Sequence, residues 1–159
     1  MSHARGENSD LKTLAPDVYD AVLALGQLAG KAGLDRQLLE LVKPRASQIN
    51  GCAFCVQYHI LQAEKLGVAP DKLNLVVVWR EAPQFSSHER AALAWTEALT
   101  HLDGGVSDEA YAQASAAFSS EELLYLSSAI AAINVWNRFG AAYRWTPPER
   151  QRTTATGVS

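Results

Sequence analysis

The sequence predicts an all-α protein, and three observations favour this fold class. No stretch between residues 15 and 145 alternates apolar and polar residues with the period of two that a half-buried strand shows. The one Asn-Gly pair, Asn50-Gly51, lies between two helical patterns rather than between β-branched runs. Several segments open with residues that start helices, and their apolar residues recur at intervals of three and four. We therefore expect a compact bundle of six to seven helices joined by short loops.

The first four helices have recognisable starting residues. Pro16 and Pro70 suit the first position of a helix, where the missing N–H has no cost. Asp35 precedes an apolar-periodic run and can act as an N-cap, and the third helix opens at Gly51. The sequence predicts seven helices in all: 16–31, 35–49, 51–66, 70–79, 87–102, 108–117 and 120–142.

The last three helices begin at serines. Ser86 and Ser119 are each followed three residues later by Glu, which is the capping box that satisfies orphan amides at a helix entrance. The final predicted helix is the longest, and Leu126, Ile130 and Ile133 form an apolar stripe along it. We expect this helix to pack at the centre of the bundle.

Length, composition and charge limit the function classes. A chain of 159 residues holds one domain, which we place at residues 15–145 between loosely ordered tails at 1–14 and 146–159. Its 14 basic and 17 acidic residues give a net charge of −3, which has the wrong sign for a general nucleic-acid binder. No run approaches the roughly 18 apolar residues of a membrane span. The expectation is a soluble, cytoplasmic protein with no nucleic-acid or membrane partner.

Two cysteines and a histidine provide the strongest chemical signal. The segment from Asn50 to His59 opens the third predicted helix and contains Cys52 and Cys55, which are the only cysteines. At about 100° per residue, Cys52, Cys55 and His59 share one helix face. Cys55 and His59 are neighbours four residues apart, so the imidazole can reach the thiol. A cysteine pair of this spacing in a cytosolic chain indicates redox or metal chemistry.

Glu40 is expected to complete this group. If the chain reverses direction at Asn50-Gly51, a residue ten positions before the break faces one about nine positions after it, and Glu40 comes level with His59. A carboxylate there would fix the tautomer of the imidazole and stabilise its protonated form. Pro44 lies within the same predicted helix and should kink it just beyond Glu40.

The spacing of Glu40, then Cys52 twelve residues later, then CxxCxxxH ending at His59, resembles the AhpD-like alkylhydroperoxidases of the carboxymuconolactone decarboxylase superfamily. The flanking sequences that share this resemblance are Glu40-Leu-Val, Ser47-Gln-Ile-Asn-Gly-Cys52, Trp79-Arg-Glu-Ala-Pro83, Glu89-Arg-Ala-Ala-Leu-Ala-Trp95 and Ile133-Asn-Val-Trp-Asn-Arg138. Some family members place a further His between the two cysteines, whereas Ala53 and Phe54 stand there in this chain.

The resemblance implies an all-helical homotrimer or homohexamer that reduces hydroperoxides without a cofactor or metal. It makes Cys55 the attacking cysteine and Cys52 the resolving one, with His59 and Glu40 as a proton relay. The implied partners are a small hydroperoxide and an external dithiol reductant or redox partner protein.

Three other interpretations remain open at this point. The chain could be a thiol–disulfide oxidoreductase that reduces a partner peroxiredoxin, using nearly the same cysteine chemistry. Cys52, Cys55, His59 and Glu40 could instead hold zinc in a helical interaction module. A non-redox lactone decarboxylase, as in the namesake of the superfamily, has no evident need of a CxxC pair.

The remaining polar and aromatic residues are assigned structural roles. His3, His88 and His101 are expected at the surface or at helix ends. Asn134 and Asn137 lie on or beside the apolar stripe of the last helix, so we expect partly buried amides that need hydrogen-bond partners. Core or subunit contacts are expected for the four tryptophans, which are Trp79, Trp95, Trp136 and Trp145.

Overall fold

The computed structural model of the chain describes residues 3–150, which form eight α-helices and no strand. The helices in chain order are α1 (Asn8–Leu14), α2 (Pro16–Lys31), α3 (Arg36–Ile49), α4 (Ala53–Lys65), α5 (Pro70–Leu75), α6 (Ser87–Thr100), α7 (Asp108–Ala117) and α8 (Ser120–Tyr143). A 3₁₀ turn, Val76–Val78, follows α5. The all-α prediction is confirmed, and each of the seven predicted helices is present. None of the helices within the described range is long and apolar enough to cross a bilayer.

Helix α1 was not among the predicted helices. Its residues, 8–14, were expected to belong to a loosely ordered tail. The Asp10 side chain accepts a hydrogen bond of 2.7 Å from the backbone N–H of Glu7 and so caps the start of α1. The Thr146 hydroxyl donates to the Glu7 carboxylate at 2.7 Å, which ties this segment to the chain beyond α8. Of the expected C-terminal tail, residues 151–159 lie outside the part that the structure describes.

Helix α8 lies at the centre of the bundle and packs against α2, α3, α4 and α6. The predicted stripe of Leu126, Ile130 and Ile133 is buried. Removing such side chains from water is the main force that holds helices together, at about 1.5–3 kcal/mol for each fully buried one. The longest helix therefore organises the core, as its pattern indicates.

Helices α3 and α4 form an antiparallel pair that carries the cysteines. The turn between them contains Gly51 at a φ of +67°, a conformation that glycine adopts without strain. At the other end of the pair, the Gln37 side chain donates to the carbonyl of Leu66 at 2.8 Å. Helix α3 runs from Arg36 to Ile49 through the buried Pro44, so Glu40 lies on the helix that leads into the turn.

A partly buried carboxylate on α6 links α3 to the segment Trp79-Arg-Glu-Ala-Pro83, which is part of the family resemblance. Glu97 accepts hydrogen bonds from Arg45 at 2.7 Å and from the Trp79 indole at 2.8 Å. Burial raises the pKa of Glu97, but the hydrogen bonds from Trp79, Arg80 and Arg45 outweigh it and leave the pKa below 4.5. The contacts of Glu97 therefore link α3, α6 and the residues that follow the 3₁₀ turn.

Candidate active site

The structure brings the four predicted site residues together at the start of α4. Cys52 precedes that helix, Cys55 and His59 lie in its first two turns, and Glu40 reaches them from α3. All are strongly shielded: the exposed fraction is 0% for Cys52, 3% for Cys55 and 8% for Glu40. The antiparallel arrangement expected from the Asn50-Gly51 turn explains why residues 19 positions apart in sequence come into contact.

Cys52 and Cys55 form a disulfide, with their Cα atoms 5.3 Å apart. Helix α4 begins at Ala53 rather than at the predicted residue 51, because Gly51 is left-handed and Cys52 is extended. Cys52 is thus the N-cap of α4, and its sulfur accepts a hydrogen bond of 3.2 Å from the backbone N–H of Cys55. A sulfur in this position faces the positive end of the helix dipole, which favours a thiolate when the pair is reduced.

A short hydrogen bond fixes the orientation of His59. Its Nδ1 lies 2.7 Å from Glu40 Oε2, and the other carboxylate oxygen of Glu40 accepts from Lys43 Nζ at 2.6 Å. Burial raises the pKa of Glu40, but His59 and Lys43 outweigh burial and hold the pKa below 4.5. Glu40 is therefore ionised at neutral pH and accepts a hydrogen bond from the Nδ1–H of His59.

The imidazole itself is neutral at pH 7. Burial lowers the pKa of His59 below 6.5, and the hydrogen bond and charge of Glu40 offset only part of that effect. A neutral ring that donates Nδ1–H to Glu40 carries its lone pair on Nε2. The Glu40 contact thus leaves Nε2 as the nitrogen that can take up a proton.

A cavity of about 810 Å³ gives access to one of the two sulfurs. Cys55, His59 and Glu40 line it, whereas Cys52 lines a separate, smaller cavity of about 450 Å³ beside Pro147. The aromatic residues in the wall of the larger cavity are Tyr19, Phe54, Tyr58, Trp136 and Trp145. Cys55 shares this cavity with the imidazole of His59, and this distinguishes it from Cys52.

Gly140 is a site residue that sequence reasoning missed. A Cβ atom at this position of α8 would lie 2.5 Å from Cys52 Sγ and 3.1 Å from Cys55 Sγ. Real Cβ atoms do not approach sulfur that closely, so the disulfide occupies the space that the missing side chain leaves. The only sequence signal is a glycine inside a strong helical pattern, which often marks a close approach of another element.

A buried amide network holds the turn before Cys52 against α8. The Asn50 side chain donates to Asn134 and to Asn137, both at 2.9 Å, and Asn137 donates to Ser47 at 2.9 Å. Asn137 is fully buried. The two asparagines expected to need partners therefore find them in the α3–α4 turn, and the network positions the cysteine segment.

The other histidines lie away from this group. His88 is exposed and packs its ring 4.2 Å from the ring of Phe118, and His101 is the exposed C-cap of α6. Among residues 3–150, no group of three or more His, Cys, Asp or Glu side chains is arranged to hold a metal ion. The zinc interpretation therefore has no ligand set in this part of the chain.

The four tryptophans have mainly packing roles. Three of them are buried, which are Trp79, Trp95 and Trp145, and Trp136 is half-buried in the cavity wall.

A helical bundle that carries a CxxC disulfide beside a buried His–Glu pair defines an AhpD-like protein. The chain belongs to the carboxymuconolactone decarboxylase family, whose sequence profile matches residues 16–98.

Known proteins resemble the chain over most of its length. It is 32% identical to the uncharacterized protein YdfG of Bacillus subtilis, over 81% of this chain and 88% of the relative. The chain superposes on a crystal structure of a protein from Agrobacterium tumefaciens with a TM-score of 0.86 at 37% identity. The function of that protein is unknown, and it carries the name antioxidant defence protein AhpD. That similarity covers 93% of this chain and 100% of the other. The debrominase Bmp8 shares the fold, with a TM-score of 0.75 at 21% identity over 84% of this chain and 72% of Bmp8.

Proposed function

We propose that the protein is a thiol-dependent hydroperoxide reductase. The observation that carries this proposal is the position of Cys55, which is half of a redox-capable disulfide and lines the same cavity as the His59–Glu40 pair. The cavity offers a hydroperoxide access to a sulfur and to a proton acceptor together. The likeness to an AhpD-named structure at 37% identity supports the same class of chemistry.

The reaction begins with the reduced pair. His59 Nε2 takes the proton of the Cys55 thiol, and the resulting thiolate attacks the terminal oxygen of ROOH. The O–O bond breaks, the alkoxide takes the proton from His59 and leaves as ROH, and Cys55 becomes a sulfenic acid.

The Cys52 thiol then attacks the Cys55 sulfenic sulfur, which releases water and forms the disulfide seen in the structure. The N-cap position of Cys52 favours its thiolate and so supports this step. An external dithiol reduces the disulfide by thiol–disulfide exchange and is itself oxidised to a disulfide. No other cofactor is needed for these steps.

The partners of the protein belong to the same proposal. A recyclable disulfide needs a compartment that supplies dithiol reductants, so we place the protein in the cytoplasm. We also propose a homotrimer or homohexamer, which is supported by the resemblance to the AhpD-like family.

Steady-state turnover of tert-butyl hydroperoxide with dithiothreitol tests the proposed chemistry. Cys55→Ser should abolish turnover, because serine cannot form the sulfenic acid. Cys52→Ser should allow one oxidation and then slow, because no resolving thiol remains. Ser128→Ala, on α8 and outside both cavities, is the matched control for a lost small polar group and should retain full turnover. Undiminished turnover by Cys55→Ser would contradict the proposal.

A second candidate is a thiol–disulfide oxidoreductase that passes electrons to a partner peroxiredoxin. The observation that favours it is the Cys52–Cys55 disulfide itself, because thiol–disulfide exchange with a partner protein uses the same pair. The rate with a peroxiredoxin disulfide, compared with the rate with tert-butyl hydroperoxide, discriminates the two. A much faster reaction with the protein disulfide would favour the second candidate.

A further inference from the structure

The cavity beside Cys55 is elongated and follows helix α4. The residues of α4 that line it recur at intervals of three and four, from Cys55 through Tyr58 and Gln62 to Lys65. Ten residues of α-helix span about 15 Å. The cavity therefore extends roughly that distance from the sulfur toward the C-terminal end of α4.

The end of the cavity near the sulfur is aromatic. The rings of Phe54 and Tyr58 stack with their centroids 6.0 Å apart, and Phe54 meets Trp145 edge to face at 5.4 Å. Trp136 and Ile133 add apolar surface from α8. This part of the cavity suits an apolar group.

Three cations line the opposite end. Lys31 ends α2, Arg36 begins α3 and Lys65 ends α4. The Gln37–Leu66 hydrogen bond shows that the start of α3 lies beside the end of α4, so these side chains share one end of the cavity.

These three cations have no counter-charge in the cavity. All are exposed, and none forms an ion pair with another residue of the 3–150 range. The one carboxylate in the lining is Glu40, which is already paired with His59 and Lys43. The cavity thus has an aromatic end at the sulfur and a cationic end about 15 Å away.

We propose that the preferred substrate is a long, apolar hydroperoxide that carries a carboxylate at the end remote from its –OOH group, the class of fatty-acid hydroperoxides. This inference rests on the proposed function and names the substrate class of the same site. The carboxylate lies against Lys31, Arg36 and Lys65, and the chain lies along α4 with its –OOH group at Cys55. A volume of about 810 Å³ suits one single-chain ligand.

The test compares linoleic acid hydroperoxide with its methyl ester, which has the same –OOH group and chain but no charge. The wild-type kcat/KM should be about tenfold higher for the acid, because three exposed cations each contribute modestly. This ratio should fall as salt rises and should approach one in the triple variant Lys31→Ala, Arg36→Ala, Lys65→Ala. The acid-to-ester ratio is taken within each protein, so a general loss of activity in the triple variant cancels.

Lys72→Ala, which removes a lysine outside the cavity, is the matched control and should keep the acid preference. Equal kcat/KM values for acid and ester, with tert-butyl hydroperoxide still turned over, would overturn the inference and leave the proposed function standing. Absence of turnover with all three hydroperoxides would overturn the proposed function instead.

Binding of oleate keeps the substrate inference testable without turnover. Trp136 and Trp145 line the cavity, so their fluorescence should report a bound chain. Saturable oleate binding that methyl oleate lacks, and that the triple variant loses, supports the inference. Equal binding of oleate and methyl oleate, or no binding of either, overturns it.

Discussion

His59 Nδ1 and Glu40 Oε2 lie 2.7 Å apart, and this hydrogen bond joins α4 to α3 in the wall of the Cys55 cavity. The carboxylate determines which imidazole nitrogen carries the proton, because it can only accept. Nε2 is left as the base. The acid–base part of the proposed mechanism depends on this one contact.

Glu40→Gln should lower peroxide reduction by about tenfold or more, because a neutral amide no longer selects the tautomer or stabilises the protonated ring. The wild-type activity should show an acid limb that follows the lowered pKa of His59, since a protonated His59 cannot act as a base. Loss of the neighbouring negative charge lowers the His59 pKa further, so this acid limb should move to lower pH in the variant. The pH profile of kcat/KM measures both effects, and an unshifted limb would contradict the relay.

Stability should also depend on this pair. The folded pKa of His59 is below its unfolded value, so the unfolded chain binds more protons and the free energy of unfolding falls as pH drops below 6.5. Glu40 adds to the loss below pH 4.5, since its folded pKa is lowered too. Urea unfolding at pH 7 and pH 5 should show this fall in the wild type and a smaller one in His59→Gln. His101→Gln, at the exposed end of α6, should behave as the wild type does.

Gly140→Ala should destabilise the oxidised protein by about 1–3 kcal/mol, because the added Cβ overlaps the disulfide. Gly30→Ala is the matched control: it also lies in a helix, but its Cβ would meet no atom within 4 Å. The control should raise stability by about 0.5–1 kcal/mol through helix propensity. Urea midpoints measure both. In a Cys52→Ala background the Gly140→Ala penalty should shrink, and an unchanged penalty would place the clash elsewhere.

Asn137→Ala should cost about 1–3 kcal/mol of unfolding free energy, because Ser47 and Asn50 each lose one hydrogen bond in a shielded place. Asn74→Ala, an exposed substitution on α5, should stay within about 0.5 kcal/mol of the wild type. The free energy of unfolding, measured by heat or urea, distinguishes the two variants. Equal effects at both positions would show that the network does not hold the cysteine turn.

Local sequence signals were enough to predict most of the fold. The Ser86 and Ser119 capping boxes are both formed, and Asp35 caps α3 as expected, because these contacts join residues two or three apart. Helix α1 escaped prediction because it is short and because part of what holds it is distant in sequence. Its N-cap, Glu7, binds Thr146, and no local pattern reveals a contact across 139 positions.

In the candidate site, too, contacts set by local sequence could be predicted and contacts between distant segments could not. The distance between Glu40 and His59 followed from a turn at Asn50-Gly51 and the rise of two helices, so their contact could be predicted. The approach of Gly140 to both sulfurs depends on where α8 crosses the α3–α4 pair, which the sequence does not specify. The separation of the two cysteines into different cavities has the same origin.

The most direct test of the central claim is to trap the product of the first step. Reduced Cys52→Ser protein is mixed with one equivalent of tert-butyl hydroperoxide and a sulfenic-acid reagent, and the adduct is mapped by mass spectrometry. We predict one alcohol per protein chain and one adduct, at Cys55. A free, unmodified Cys55 thiol with no alcohol formed would contradict the assignment of Cys55 as the attacking sulfur.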